Sequence, residues 1–250
     1  MSGGDVWEVG DAYEAYVGRW SRLVAARFVS GLGQEPGLRW LDVGRGTGAL
    51  SAAIPAPARV VGVDPSLGFI RNGRDVVNGD GTALPFGSAA FDVVVSGLAL
   101  NFMPDPAAGA GEMARVARDG ATVAAYVWDY GDGMQMMRHF WDAAAQVDPA
   151  AAEGDELKRF PICRPEPLRE LWAGAGLRDV TTGVIEIPTV FADFDDYWTP
   201  FLGGQGAAPA YAARLAEPAR EAIRQTLRDR LGGGPIELTA AAWTVRGVKC

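Results

Sequence analysis

Gly44, Gly46 and Gly48 alternate with Arg45 and Thr47 directly after an apolar run, Leu38 to Val43, that carries an acid at Asp42. Glycine lacks a Cβ, so such a turn can adopt positive φ and lets a ligand lie against bare backbone. The helix-compatible segment behind it, Ala49 to Ile54, offers unpaired N–H groups at its start. A second acid, Asp64, closes the strand-like stretch Arg59 to Asp64, 20 positions beyond Gly44. An acid at that distance, at the end of the second strand of an open α/β sheet, accepts hydrogen bonds from ribose hydroxyls. Together these residues predict a site for a nucleoside-bearing cofactor.

Two further stretches extend the pattern. A third strand, Asp75 to Asn78, leads to Asp80-Gly81, and a fourth, Phe91 to Ser96, opens with Phe91-Asp92. All four polar positions are expected on one edge of the sheet, where ligands of such sheets bind. Read as Gly44-x-Gly46-x-x-Ala49, the loop also fits the dinucleotide fingerprint. Asp42 argues against that, because a carboxylate beside the turn repels a pyrophosphate. It suits a cofactor with an ammonium group on its tail and no phosphate, as in S-adenosylmethionine.

Asp42-Val43-Gly44-Arg45-Gly46-Thr47-Gly48, Val63-Asp64, Asp80-Gly81 and Phe91-Asp92-Val93-Val94-Val95-Ser96 resemble the successive motifs of class I S-adenosylmethionine-dependent methyltransferases. The nearest likeness is to the bacterial small-molecule type (methyltransferase type 11), similar to the ubiquinone- and menaquinone-pathway enzymes. The motifs cover about residues 38–120, with weaker likeness beyond. The resemblance implies S-adenosyl-L-methionine as cofactor and S-adenosyl-L-homocysteine as product. It implies that Asp64 holds the ribose, that Asp80 and Gly81 recognise adenine, and that the glycine loop cradles the methionyl part. The cofactor-binding set it suggests is Trp20, Asp42, Gly44, Arg45, Gly46, Gly48, Asp64, Pro65, Asp80, Gly81 and Ser96.

Arg45 departs from the family pattern, where this position is usually small. Its guanidinium could bind the cofactor's carboxylate, pair with Asp42, or turn out to solvent. Transfer of a methyl group to a nucleophile is an in-line displacement that chiefly needs alignment and exclusion of water. A hydroxyl acceptor also benefits from a general base. His139, the only histidine, lies after the fifth strand and is the first candidate; Tyr130 and Asp129, at that strand's end, are alternatives. An acceptor that is already nucleophilic requires no base. Two other readings stand beside this one: a nicotinamide-dinucleotide-dependent oxidoreductase, and a protein that binds S-adenosylmethionine without methylating.

The elements that position these residues alternate strand and helix from Leu38 to Trp128, which implies a parallel sheet with crossover helices. Ala107 to Ala117 is the clearest crossover helix, with Asp105 as its N-cap, and Ala121 to Trp128 is a fifth strand. Asp179 to Thr189 and Leu238 to Val245 complete the set, with a helix over Ala210 to Leu231 between them. The expected fold is α/β, a Rossmann-like sheet of seven mostly parallel strands with an antiparallel last strand and helices on both faces. Met134, Met136, Met137, Phe140 and Trp141, and later Phe191, Phe194, Tyr197, Trp198 and Phe201, fall in insertions after the fifth and sixth strands. These blocks, about 129–165 and 191–235, are expected to cap one sheet edge of a domain spanning 38–250, and their apolar lining suits an apolar or aromatic acceptor. Tyr13, Tyr16, Val17, Trp20, Val24 and Phe28 recur at helical spacing, interrupted near Gly18. Residues 1–37 are read as a helical lid that, as the resemblance implies, folds over the cofactor, so that Arg19 and Arg22 could meet its carboxylate; ordinary packing on the core explains the same stripe.

The chain has 250 residues, 48% of them hydrophobic and 22% charged, with a formal charge of −8. That balance argues against a nucleic-acid partner, which needs a cationic footprint. No apolar run reaches the ~18 residues of a membrane span, and the first residues lack a secretory pattern. Cys163 and Cys250 suggest no disulfide framework, and a reducing cytoplasm fits. Two cysteines and one histidine give little material for a zinc site. The expected partner is a small-molecule methyl acceptor, with no membrane association; the oligomeric state is not legible.

Overall fold

Runs of β-branched residues that are buried on both faces make the centre of the molecule. In the computed structural model, which describes residues 14–70, 75–204 and 206–250, Leu41, Val43, Val63, Val93, Val94 and Val95 have no exposed surface. Side chains that alternate between two covered faces require such continuous apolar runs. They fall on β1 (Arg39–Val43), β2 (Arg59–Asp64) and β4 (Phe91–Gly97). β3 (Val76–Asn78), β5 (Ala117–Trp128), β6 (Leu177–Phe191) and β7 (Ile236–Lys249) complete one sheet of order β3-β2-β1-β4-β5-β7-β6. The pairs from β3 to β5 are parallel, and β7 runs antiparallel to β5. The α/β fold class expected from the sequence is the one observed.

Helices connect the strands. α1 (Arg19–Leu32) buries Val24, Ala25, Phe28, Val29 and Leu32, the stripe that three- and four-residue spacing requires. A π-helical turn, Glu14–Gly18, precedes it, so the periodicity does change at Gly18; Tyr13 lies outside the described residues. α2 (Ala49–Ala53), α3 (Leu67–Ile70) and α4 (Pro106–Val116) follow β1, β2 and β4. Asp105 caps α4, its carboxylate accepting from the N–H groups of Ala107 and Ala108 at 3.0 Å each, and Pro106 occupies a first-turn position where no donor is needed. α4 passes straight into β5 at Ala117, with the strand's register shifting between Phe91 and Val93 of its neighbour.

Later elements are α5 (Gln135–Val147), α6 (Glu156–Arg159), α7 (Pro165–Gly174), α8 (Phe194–Trp198), α9 (Ala207–Arg214) and α10 (Glu217–Leu231). The single helix read over Ala210 to Leu231 is therefore two. Pro218 has no N–H to donate to the Arg214 carbonyl and its ring would press on it, so Leu215 and Ala216 take extended conformations.

The chain forms two compact units. One comprises Ser21–Trp128, Ile162–Ile185 and Ala242–Cys250. The other comprises the described residues up to Trp20, with Asp129–Pro161 and Glu186–Ala241. The second unit has an aromatic core of its own: Phe140 stacks on Phe201 at 4.6 Å, and Tyr16, Trp141 and Tyr197 pack around that pair. No helix among the described residues is long and apolar enough to cross a membrane.

Candidate functional site

The parallel strands β1, β2 and β4 end on one edge of the sheet, and the glycine loop leaves β1 there. Gly44, Gly46 and Gly48 all have positive φ, 75°, 53° and 89°. Backbone bonds fold the loop onto β2: the N–H groups of Gly44 and Arg45 donate to the Val63 carbonyl at 2.9 and 3.1 Å. Gly46 N–H donates to Asp64 Oδ2 at 2.8 Å, while Ser66 N–H donates to Asp64 Oδ1 at 2.8 Å. Gly48 N–H closes the turn on the Arg45 carbonyl at 2.9 Å. Asp64 therefore braces the loop as well as ending β2.

Asp42 is wholly buried beneath the loop. Ser51 Oγ, from α2, donates to its Oδ2 at 2.6 Å, and its Oδ1 has no hydrogen-bond partner. Burial pushes the carboxyl up to about 6; the Ser51 hydrogen bond and the charge of Arg45 pull the other way, and Asp64 adds to the rise. Arg45 neither points to solvent alone nor bonds Asp42. Its aliphatic stem lies on the bare Cα of Gly62 in β2, and its guanidinium lies over Gly48, where a Cβ would come within 2.6 Å of Nη2.

The neighbouring loops abut these residues. A Cβ on Gly44 would overlap that of Ala99, in the segment after β4. Leu98, beside it, holds φ 57°, a conformation costing about 1–2 kcal/mol for a residue with a side chain, and its N–H is anchored on the Tyr126 carbonyl at 2.8 Å. Asp80 is exposed and turns the chain back, its Oδ1 accepting from Thr82 N–H at 2.8 Å. Gly81 packs close to Val43 and Met103. Pro65 is exposed, and its carbonyl accepts from Asn78 Nδ2 at 3.0 Å. Ser96 is fully buried with its hydroxyl unpartnered.

Gly46 is thus bonded to Asp64 and Gly48 to Arg45, Gly44 and Arg45 share the Val63 carbonyl, Asp42 lies buried near the end of β1, and Gly81 packs on Val43. Asp92 is not part of this edge, contrary to the expectation: it stands at the start of β4. There it accepts from the Arg39 N–H at 2.7 Å and pairs with Arg118, bracing the opposite ends of β1 and β5. Trp20, Tyr130 and His139 belong to the other unit. Tyr130 is buried with its ring 5.7 Å from Phe160. His139, on α5, is held low by burial and by the Arg230 charge, against the pull of Asp142. Gly62, Ser51 and Ser66 were not read from the sequence as site residues. Gly62 had a legible signal, a glycine inside an apolar strand, which marks close approach of another group. Among the described residues no group of three or more His, Cys, Asp or Glu could hold a metal.

A family model described as a methyltransferase domain matches residues 41–125. The chain is similar to a demethylmenaquinone methyltransferase of Renibacterium salmoninarum, 39% identical over 109 residues, 41% of this chain and 44% of the relative. It therefore spans less than half the length of that relative. It is 35% identical over 170 residues to a demethylmenaquinone methyltransferase of a Roseiflexus species, 57% of this chain and 69% of the relative. In fold it is similar to the YcgJ protein of Bacillus subtilis, with TM-score 0.56, 16% identity, and coverage of 92% of this chain and 98% of that one.

Proposed function

We propose that this chain, which belongs to the class I S-adenosylmethionine-dependent methyltransferases, methylates a small apolar or aromatic metabolite. The observation that carries the cofactor side is how the glycine loop spends its donors. The N–H groups of Gly44, Arg45, Gly46 and Gly48 all bond within the loop, to β2 or to Asp64. A pyrophosphate needs such donors free and no anion nearby. Here two carboxylates, Asp42 and Asp64, flank the turn instead, an arrangement that supports a phosphate-free, positively charged cofactor.

The residues fit S-adenosylmethionine. Asp42 Oδ1 is a buried acceptor with no partner, suited to a donor on a cationic tail. Each Asp64 oxygen accepts one backbone N–H and retains a lone pair for a ribose hydroxyl. Positive φ at Gly46, with open space around its Cα, leaves bare backbone for close approach. The bound cofactor supplies a methyl group on a sulfonium. The chain's own residues hold the loop rigid through Asp64, keep negative charge near it through Asp42, and fix the segment after β4 through Ala99 and Leu98. Such preorganised positioning contributes much of the acceleration in a displacement that needs no covalent intermediate.

The similar demethylmenaquinone methyltransferases carry in their name an aromatic, quinone-type acceptor, which supports an acceptor of that class. His139 is the proposed base for a hydroxyl acceptor, with Tyr130 as alternative. Calorimetry with S-adenosylhomocysteine and with reduced nicotinamide cofactor tests the assignment, followed by turnover of methyl-labelled S-adenosylmethionine against a metabolite pool. Binding of the first alone and a labelled small product are expected. Binding of the nicotinamide alone would overturn the reading, and cofactor binding without labelled product would replace it with a non-methylating function.

A further inference from the structure

The seven-stranded sheet ends in two unlike edges. β3 is three residues long, and so short an edge offers little to pair with. β6 is 15 residues long, and among the described residues no strand lies on its outer side. Edge strands are commonly blunted by a proline, a backbone irregularity or charged side chains. On β6 the first two stand at the ends of one stretch, Asp179 with φ 53° before it and Pro188 after it. Between them the sequence reads Val-Thr-Thr-Gly-Val-Ile-Glu-Ile, with Glu186 its one charged residue. Val184, in the middle, is 56% exposed.

A proline in an edge strand stands where its missing N–H would face away from the neighbouring strand. Backbone groups alternate along a strand, so Thr182, Val184 and Glu186, in step with Pro188, turn their N–H and C=O groups outwards. Such a row is a template for one more strand, and charge selects which. Arg169, exposed on α7, donates from Nη2 to Thr182 Oγ1 at 3.0 Å, which sets a guanidinium beside Thr182. Glu186 sets an exposed carboxylate two positions beyond Val184. A second copy of the strand, antiparallel about a two-fold axis through Val184, places Glu186 of each copy opposite Thr182 of the other. Each Arg169 then meets an opposite charge, and the two Val184 side chains cover one another. An axis through Thr182 would instead bring two Arg169 guanidinia together, and one through Glu186 two carboxylates.

We infer that the outer edge of β6, from Thr182 to Glu186, is a self-association surface whose partner is a second copy of this chain, paired antiparallel about Val184. The surface is drawn from five consecutive residues of one strand and the Arg169 side chain bonded to it. Main-chain hydrogen bonds at Thr182, Val184 and Glu186 run one sheet through both copies. So narrow a contact gives a weak, reversible dimer. The inference goes beyond the methyltransferase reading and does not depend on it.

Sedimentation velocity of the whole chain, from about 1 to 100 μM, reads the association. A monomer–dimer equilibrium is expected for the wild type. Val184→Lys sets two like charges face to face on the axis and is expected to leave a monomer. Arg169→Glu and Glu186→Arg are each expected to weaken the dimer about tenfold or more, and the two together in one chain to recover most of the loss. Circular dichroism establishes that each variant is folded, and the charge pair serves if Val184→Lys is not. A wild type that stays monomeric over the whole range overturns the surface. So does a dimer indifferent to folded Val184→Lys, or a double charge variant that dimerises no better than either single one.

Discussion

The aliphatic stem of Arg45 rests on the bare Cα of Gly62, and its guanidinium returns over Gly48. A long cation is thus threaded between the glycine loop and β2 at a position where this family usually has a small residue. It fits because Gly62 has no Cβ. Gly62→Ala would drive that methyl into Arg45 Cδ, and overpacking of this kind costs about 1–3 kcal/mol. Adding Arg45→Ala to Gly62→Ala is expected to recover most of the loss in thermal or denaturant unfolding. A double variant no more stable than Gly62→Ala would mean that the two residues are energetically independent.

Asp64 has two tasks, bracing the loop and facing the proposed ribose. Asp64→Asn presents an amide N–H₂ to one of the two backbone donors, Gly46 or Ser66, that the carboxylate now accepts from. Stability is expected to fall by about 1–3 kcal/mol, and S-adenosylhomocysteine affinity by about tenfold or more. Unchanged affinity by calorimetry would remove Asp64 from the cofactor site.

Asp42 makes a pH-dependent contribution. Its folded pKa, about 6, lies above the ordinary 3.8, so the folded chain binds this proton more tightly than the unfolded one. Its contribution to stability therefore grows as pH falls through 6 and levels off below 3.8. At pH 8 the ionised, buried carboxylate costs about 3 kcal/mol, and Asp42→Asn is expected to raise stability there while the gain shrinks towards pH 4. The same substitution should weaken S-adenosylhomocysteine binding at pH 8. Parallel stability profiles for the two proteins between pH 4 and 8 would contradict this account.

Burial and Arg230 hold the His139 imidazole below its ordinary range, so it is neutral near neutral pH, the form a base requires. His139→Gln is expected to lower kcat about a hundredfold and to leave S-adenosylhomocysteine affinity unchanged. Full activity would take His139 out of the reaction and turn attention to Tyr130→Phe.

Local rules made much of this molecule legible from its residues. Apolar runs buried on both faces announce β1, β2 and β4; Pro106 with Asp105 announces the start of α4; the glycines of the loop announce positive φ. Each depends on a few neighbouring residues, so spacing suffices. Other features depend on partners far along the chain. The break at Leu215 is a local effect of Pro218 hidden inside a helical charge pattern. That Asp92 braces Arg39 and Arg118, away from the ligand edge, follows from strand direction and sheet order. The register of β1 on β2 sets Gly62 beside the loop, and only that placement decides where Arg45 goes. Asp64 receives the Gly46 and Ser66 amides for the same reason: a side chain's hydrogen-bond partners are settled by which backbone groups folding leaves near it. The residues by themselves determined the sheet, the loop and the class of cofactor. Tertiary packing decided how the loop's donors and acids are spent.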